Sequence, residues 1–295
     1  MHNTFMKIEL PKNFSYDLCL SFLKRSPREL LHQIEDDKVS KVLMVNGKPV
    51  IFQIRYDGKN LLVDFLNDRP NQESLKQIEA YIREWFDLDT DLKPFYSLAR
   101  KNDLLKDLVR KFKGYRIIGQ PDLFESLVWA VLGQQINLQF AYTLKQRFVQ
   151  RFGQHVNLKD KTYYLFPEPK VVSELNDDDL LPLQFSRQKS KYVKLIGEAF
   201  ASNTITQESL RKLPFEEAKA DLMKIKGIGN WTANYALMKT FRYPNAFPLE
   251  DAGIHNAIKN LKGMKQKPTL TQVKRIFKAY KGWEAYATLY LWKSL

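Results

Sequence analysis

The chain reads as an α+β protein, with an N-terminal antiparallel sheet and its helices over residues 1–97 and an all-α region over residues 98–295. Three observations predict this. Asn46-Gly47 and Asp57-Gly58 each separate runs of β-branched or alternating residues, a strong short-range hairpin signal. After Leu92-Lys93-Pro94 such runs nearly vanish, and apolar residues recur at helical spacing to the end. Within that second half, Gly227-Ile228-Gly229 stands between two helical patterns.

Taken in order, residues 6–10 alternate like a short strand, and residues 16–23 suit a helix with Leu18, Leu20, Phe22 and Leu23 apolar. Residues 42–45 and 49–56 are strand-like around Asn46-Gly47, and residues 60–66 follow the Asp57-Gly58 turn. Residues 72–85 place Leu75, Ile78, Tyr81, Ile82 and Trp85 on one helical face. Residues 102–112 suggest a basic amphipathic helix, and residues 114–121 a loop. Asp122, with Glu125 three residues on, reads as a capping box opening a helix over residues 123–132. That helix is apolar nearly all round and therefore buried. It stops at Gly133-Gln134-Gln135, and another begins near Asn137 with Phe140, Ala141, Leu144 and Phe148 at helical spacing. Phe166-Pro167-Glu168-Pro169 is a rigid linker, residues 176–179 an acidic capping turn, and residues 187–199 and 210–218 further helices.

Among 295 residues, 44% are hydrophobic and 27% charged, an ordinary globular composition. The formal net charge of +14 favours a polyanionic partner, nucleic acid before an anionic membrane surface. The one cysteine, Cys19, lies in an apolar run and suits core; it excludes an internal disulfide and any four-cysteine zinc or iron–sulfur site. There is neither a secretory pattern nor an apolar run of the roughly 20 residues a membrane span needs, so an intracellular protein is expected.

The stretch that carries chemistry covers residues 221–251. Glycines at 227 and 229 permit a tight turn and strip side chains from its surface. The helix after it turns its amide donors and positive dipole end toward any anion. Ile228 can plug the space between the two helices, and Trp231, Tyr235 and Met238 fall on one face. A Gly-x-Gly alone also fits an ordinary helix–helix turn. Asp251 can cap the helix over residues 252–261, hold a reacting group, or both; Glu250 is its rival, and His255 suits a structural role.

The run Ile225-x-Gly227-Ile228-Gly229-x-Trp231-Thr232-Ala233-Asn234-Tyr235, followed by Glu250-Asp251, resembles the helix-hairpin-helix DNA glycosylase superfamily. Within it, the likeness is to the DNA-3-methyladenine glycosylase II (alkylpurine glycosylase) family. Gly229 and Asp251 stand 22 positions apart (251 − 229), as in that family. Residues 121–125 leading into Val131-Leu132-Gly133-Gln134-Gln135 look like its first buried helix, and Gly282-Trp283…Tyr286…Trp292 like its last. The N-terminal sheet is similar, more loosely, to the extra domain such enzymes carry.

The resemblance implies a helical domain with a central cleft and Asp251 as the catalytic carboxylate. It implies DNA contacts at Gly227, Ile228, Gly229, Thr232, Gln134 and Gln135, the last as the residue that fills the gap left by a flipped base, where the family often has an apolar residue; Lys226 stands where the family often has proline and reads as a phosphate contact. Trp231, Tyr235 and Trp292 would line the base pocket, although the same rings could serve as core. Family members that also cut the strand carry a lysine where this chain has Trp231, so a monofunctional hydrolase without lyase activity is implied. Neither a metal nor a cofactor is implied. The expected partner is double-stranded DNA containing damaged bases, met by a cytoplasmic monomer with no membrane association. Positively charged alkylated purines such as 3-methyladenine and 7-methylguanine would gain cation–π attraction of about 0.5–2 kcal/mol per aromatic contact. The alternatives are a glycosylase for deaminated bases such as hypoxanthine and a non-catalytic DNA-binding protein.

Overall fold

The computed structural model describes residues 5–295; residues 1–4, at the head of the expected N-terminal region, lie outside the described residues. Five described strands form one antiparallel sheet in the order Phe5–Glu9, Asn60–Phe65, Lys48–Tyr56, Lys38–Val45, Gln33–Glu35. The Asn46-Gly47 turn joins two of them, with Val45 paired to Lys48 and φ values of 51° and 73° at the two turn residues. Two positive φ values in a two-residue loop match the twist of the flanking strands. Asp36 and Asp37 make the same turn at φ 47° and 60°, closing a hairpin onto the short strand Gln33–Glu35 that the sequence pattern does not announce. Neither residue is glycine, so the usual turn signal is missing there.

Helix Tyr16–Leu23 forms as expected, and Cys19 is core, its thiol pushed up to about 12 by burial. Helix Gln72–Trp85 lies on the sheet, with Ile78 and Ile82 fully buried, Asn46 donating to Ser74 Oγ at 3.2 Å, and Lys41 Nζ 5.7 Å from the Tyr81 ring.

Four expectations need correction. The helix expected over residues 102–112 covers only Lys106–Lys111, because Asn102 turns its side chain onto the Leu104 amide. Upstream of it lies an unexpected helix, Lys93–Ala99, with Pro94 in the first turn where its missing N–H costs nothing. The helix expected over residues 210–218 is two, Gln207–Arg211 and Phe215–Met223, separated at Pro214. Strands do recur after residue 94: His155–Leu158 pairs with Lys161–Tyr164, and Tyr163, Val156 and Leu158 pack with Val42 and Ile51 of the sheet. Four-residue strands bounded by polar side chains are too short to register as alternation. The acidic turn is a capped helix, Asp177–Leu180, with Asn176 accepting from the Asp178 amide and Asp179 from the Asn176 amide.

By contacts the chain groups into two units, each assembled from separate segments. One comprises the described part of Met1–Pro11 with Leu20–Arg83 and Leu127–Thr206; it holds the sheet, the second hairpin, and helices Leu138–Phe152 and Arg187–Ala201. The other comprises Lys12–Cys19, Glu84–Ser126 and Gln207–Leu295 and is helical. Its core gathers Phe95 against Tyr96, Trp283, Tyr286 and Tyr290, with ring centroids 5.3–6.0 Å apart. Arg116 is buried beside them and donates to the backbone carbonyls of Asn13, Asp87 and Thr90.

Candidate active site

The second unit carries the hairpin. Helix Phe215–Met223 ends at Lys224, and Gly227 turns the chain with φ 100°, a conformation that would cost an L-residue about 1–2 kcal/mol. Ile228 is buried and plugs the turn. Gly229 is exposed and caps helix Asn230–Phe241; a Cβ there would meet nothing within 4 Å. The first turn of a helix lacks intrahelical acceptors for its amides, so this open corner presents donors. Lys226 is exposed next to it. Thr232 departs from expectation: the whole residue is buried, 2% exposed.

Helix Asn230–Phe241 is buried along most of its length, and it fixes the loop that leads to Asp251. Asn234 Nδ2 donates to the Asn230 carbonyl at 2.9 Å, and its Oδ1 accepts the Phe247 amide at 2.8 Å. Asn230 Nδ2 lies 3.0 Å from both oxygens of Glu250. Glu250 is therefore exposed and tied to the hairpin helix, whereas Asp251 turns inward. On the far side, the two ring nitrogens of His255 sit 3.0 Å from the carbonyls of Leu249 and Pro268, the structural role expected of it.

Asp251 caps helix Ala252–Leu261, its Oδ1 accepting the Ile254 amide at 3.0 Å. Two indoles hold the same carboxylate. Trp292 Nε1 donates to Oδ1 at 2.8 Å and Trp231 Nε1 donates to Oδ2 at 3.0 Å. The Trp231 and Tyr235 rings stack at 5.3 Å and 22°, and Tyr235 meets Trp292 at 6.3 Å. Tyr235 is 8% exposed, while Trp231, Trp292 and Asp251 are half-buried. Four residues scattered between positions 231 and 292 thus form one cluster: an acid, two indole donors and a continuous aromatic wall. Gly253 makes room for it. A Cβ at that position would lie 2.8 Å from Asp251 Oδ1 and 2.9 Å from Trp292 Cδ1.

Gln134 and Gln135 belong to the other unit, after helix Leu123–Gly133. Asp122 caps that helix by accepting the Glu125 amide at 2.8 Å. Glu125 itself lies 3.4 Å from Gln120 Nε2. Gln135 is exposed with φ 56°, a left-handed residue that is not glycine. Asn137 then caps helix Leu138–Phe152 through the Phe140 amide. Lys189 reaches this turn from helix Arg187–Ala201, a contact no sequence pattern suggests. The latches at Asn230, Asn234 and Gly253 were also unforeseen. The i, i+4 spacing of the two asparagines was the one available clue.

Residues 128–282 match the HhH-GPD superfamily base excision DNA repair protein family, and residues 14–127 match the 8-oxoguanine DNA glycosylase N-terminal domain. The chain is 43% identical over 296 residues to a DNA-3-methyladenine glycosylase of Bacillus subtilis (strain 168), covering 99% of this chain and 98% of that one. Among solved structures, a 3-methyladenine DNA glycosylase from Archaeoglobus fulgidus aligns with a TM-score of 0.84 over 97% of each chain at 22% identity. The 3-methyladenine DNA glycosylase Mag1 of Schizosaccharomyces pombe, solved in complex with abasic DNA, aligns with a TM-score of 0.57 at 26% identity, over 66% of this chain and 93% of that one.

Proposed function

The chain belongs to the HhH-GPD superfamily of base excision DNA repair proteins, and from that premise we propose that it removes alkylated purines from duplex DNA by hydrolysing their N-glycosidic bond. One observation carries this reading: the Asp251 carboxylate, reachable from solvent, is held by two indole N–H groups at the edge of the Trp231–Tyr235–Trp292 wall.

The geometry supports the following chemistry. The damaged base must leave the stack to be reached. Departure of the base with the C1′–N bonding pair leaves positive charge on the sugar. A fixed negative group beside it stabilises that charge more in the transition state than in the ground state. Water then adds at C1′ and gives up a proton, for which a carboxylate is the nearest acceptor. Oδ1 already accepts two donors and Oδ2 one, so Oδ2 keeps the free lone pair that would face sugar or water. The bond to an alkylated purine is already weak, so this modest machinery suffices. The rings favour a cationic base over a neutral one. The hairpin amides at residues 227–232 and Lys226 would hold phosphate, Gln134 would contact the DNA, and Gln135 would fill the gap left by the base.

The division into residues 1–97 and 98–295, the cytoplasmic monomer and the absence of lyase activity belong to the same proposal. Among the described residues, no helix is long and apolar enough to cross a membrane. The match of residues 14–127 to an 8-oxoguanine glycosylase domain makes 8-oxoguanine the lesion to test against, although Trp231 stands where the lyase lysine would be. The deciding experiment is a panel of duplexes with single lesions: 3-methyladenine, 7-methylguanine, hypoxanthine and 8-oxoguanine. Free 3-methyladenine or 7-methylguanine should appear, leaving an uncut abasic strand and no borohydride-trapped adduct. Release of 8-oxoguanine alone, or a trapped adduct, overturns the proposal.

A further inference from the structure

Helix Leu123–Gly133 ends with carbonyls that have no intrahelical partner, at the negative end of its dipole. No glycine past its end takes up a left-handed cap; the left-handed residue there is Gln135, at φ 56°. A non-glycine residue held in that region persists only where its surroundings over-determine it.

The surroundings do so through one side chain. Lys189 is 8% exposed, and its ammonium lies 2.9 Å from the Val131 carbonyl, 2.8 Å from Leu132 and 2.7 Å from Gln134. All three donors of the ammonium are used, and all three acceptors border the turn. Burial pushes Lys189 down to about 8, the cost of taking an ammonium out of water. The base of its own helix is pinned as well. Ser186 caps it by accepting the Lys189 amide at 3.2 Å. Arg147, on the helix that follows the turn, donates to the Leu183 carbonyl and to Gln184 Oε1 just upstream. The end of helix Leu123–Gly133 and the start of helix Arg187–Ala201 thus meet at this turn, where Lys189 joins the Gln134 amide, which donates to the Val131 carbonyl at 3.2 Å, in holding the backbone. Leu138, 49% exposed in the first turn of the next helix, extends the same outward-facing segment with an apolar side chain.

We propose that Lys189 is a positioning residue, which holds the Gln134–Gln135 turn in the shape that enters the DNA stack when the damaged base leaves. The inference rests on the glycosylase reading, in which Gln135 fills that gap. An ammonium suits the task because three converging carbonyls need three donors from one compact head, which neither the planar guanidinium of arginine nor a neutral amide supplies in the same space.

The test uses full-length protein and a duplex carrying a tetrahydrofuran abasic analogue beside 2-aminopurine, whose fluorescence rises when it is unstacked. Lys189→Met and Gln135→Ala should each lower the fluorescence rise, and each should lower the preference for this duplex over an intact one by about fivefold. The double variant should be no worse than either single one, because both act through one turn. Lys189→Arg should restore part of the loss, and thermal melting should place all variants on the folded side. Should Lys189→Met fail to fold, Lys189→Gln, with one amide in place of the ammonium, carries the same cycle. Losses that multiply in the double variant, or an unchanged signal in folded Lys189→Met or Lys189→Gln, overturn the inference. A wild-type protein with no preference for the abasic duplex would instead overturn the glycosylase reading beneath it.

Discussion

Asp87 and Asp251 both take a hydrogen bond from the last helix, Glu284–Lys293: Asp87 from the Tyr286 hydroxyl and Asp251 from the Trp292 indole. Asp87 is 2% exposed; Thr90 Oγ1 donates to it at 2.5 Å, and its own carbonyl accepts from Arg116. Burial raises its pKa, against the lowering pull of Thr90, Tyr286 and Arg116. Asp251 is half-buried and accepts from two indoles and an amide. The same helix therefore presents aromatic donors to a sealed acid on one side and to an accessible acid on the other. The two acids differ in access rather than in donors, and the sealed one spends its hydrogen bonds on tying residues 84–116 to the last helix.

This contrast can be broken most directly at Asp251. Asp251→Asn should lower single-turnover release of 7-methylguanine by at least about a hundredfold. Affinity for an abasic duplex should stay within about threefold, and unchanged release would remove Asp251 from the chemistry. Asp87→Ala should do the reverse, costing about 3 kcal/mol in denaturant unfolding while the excision rate of the folded fraction stays at the wild-type value. A rate loss beyond the loss of folded protein would mean that Asp87 is not merely structural.

Single-group changes on the shared helix sharpen the contrast. Trp292→Phe keeps a ring and removes the N–H, and should slow excision about tenfold with a smaller effect on stability. Tyr286→Phe should cost about 1–2 kcal/mol of stability and leave excision unchanged. Equal effects of the two on rate would erase the distinction.

The smallest expected effect is a pH dependence. Asp87 is raised in the folded chain above its ordinary 3.8, so between that value and its folded value the native state binds the proton more readily than the unfolded chain. The wild type should therefore gain stability relative to Asp87→Asn as pH falls through this window, measured by urea unfolding at matched ionic strength. A difference that is flat, or that moves the other way, would place the proton elsewhere.

Parts of the fold and of the candidate site were legible because their signals are local. The glycine at 227 is demanded by a positive φ and the turn at 46–47 by strand twist; each is a property of a few consecutive residues. The family resemblance, not a local signal, favoured Asp251 over Glu250, and the loop latched by Asn230 and Asn234 turns the two acids apart. Turns without glycine, such as Asp36-Asp37, and the four-residue strands at 155–164 carry too little local preference to be read.

By itself, then, the sequence determined the alternation of sheet and helices and the hairpin, and through the family resemblance it pointed to Asp251, Trp231, Tyr235 and Trp292. Tertiary structure alone decided what they do to one another. Indole N–H groups 20 and 41 positions from Asp251 meet its carboxylate only once three helices have packed. The same packing buries Thr232, demands a glycine at 253, and brings Lys189 to carbonyls more than 50 positions away. Hydrogen bonds of that kind depend on directions in space, and side-chain direction across such separations is set by the fold rather than by local preference.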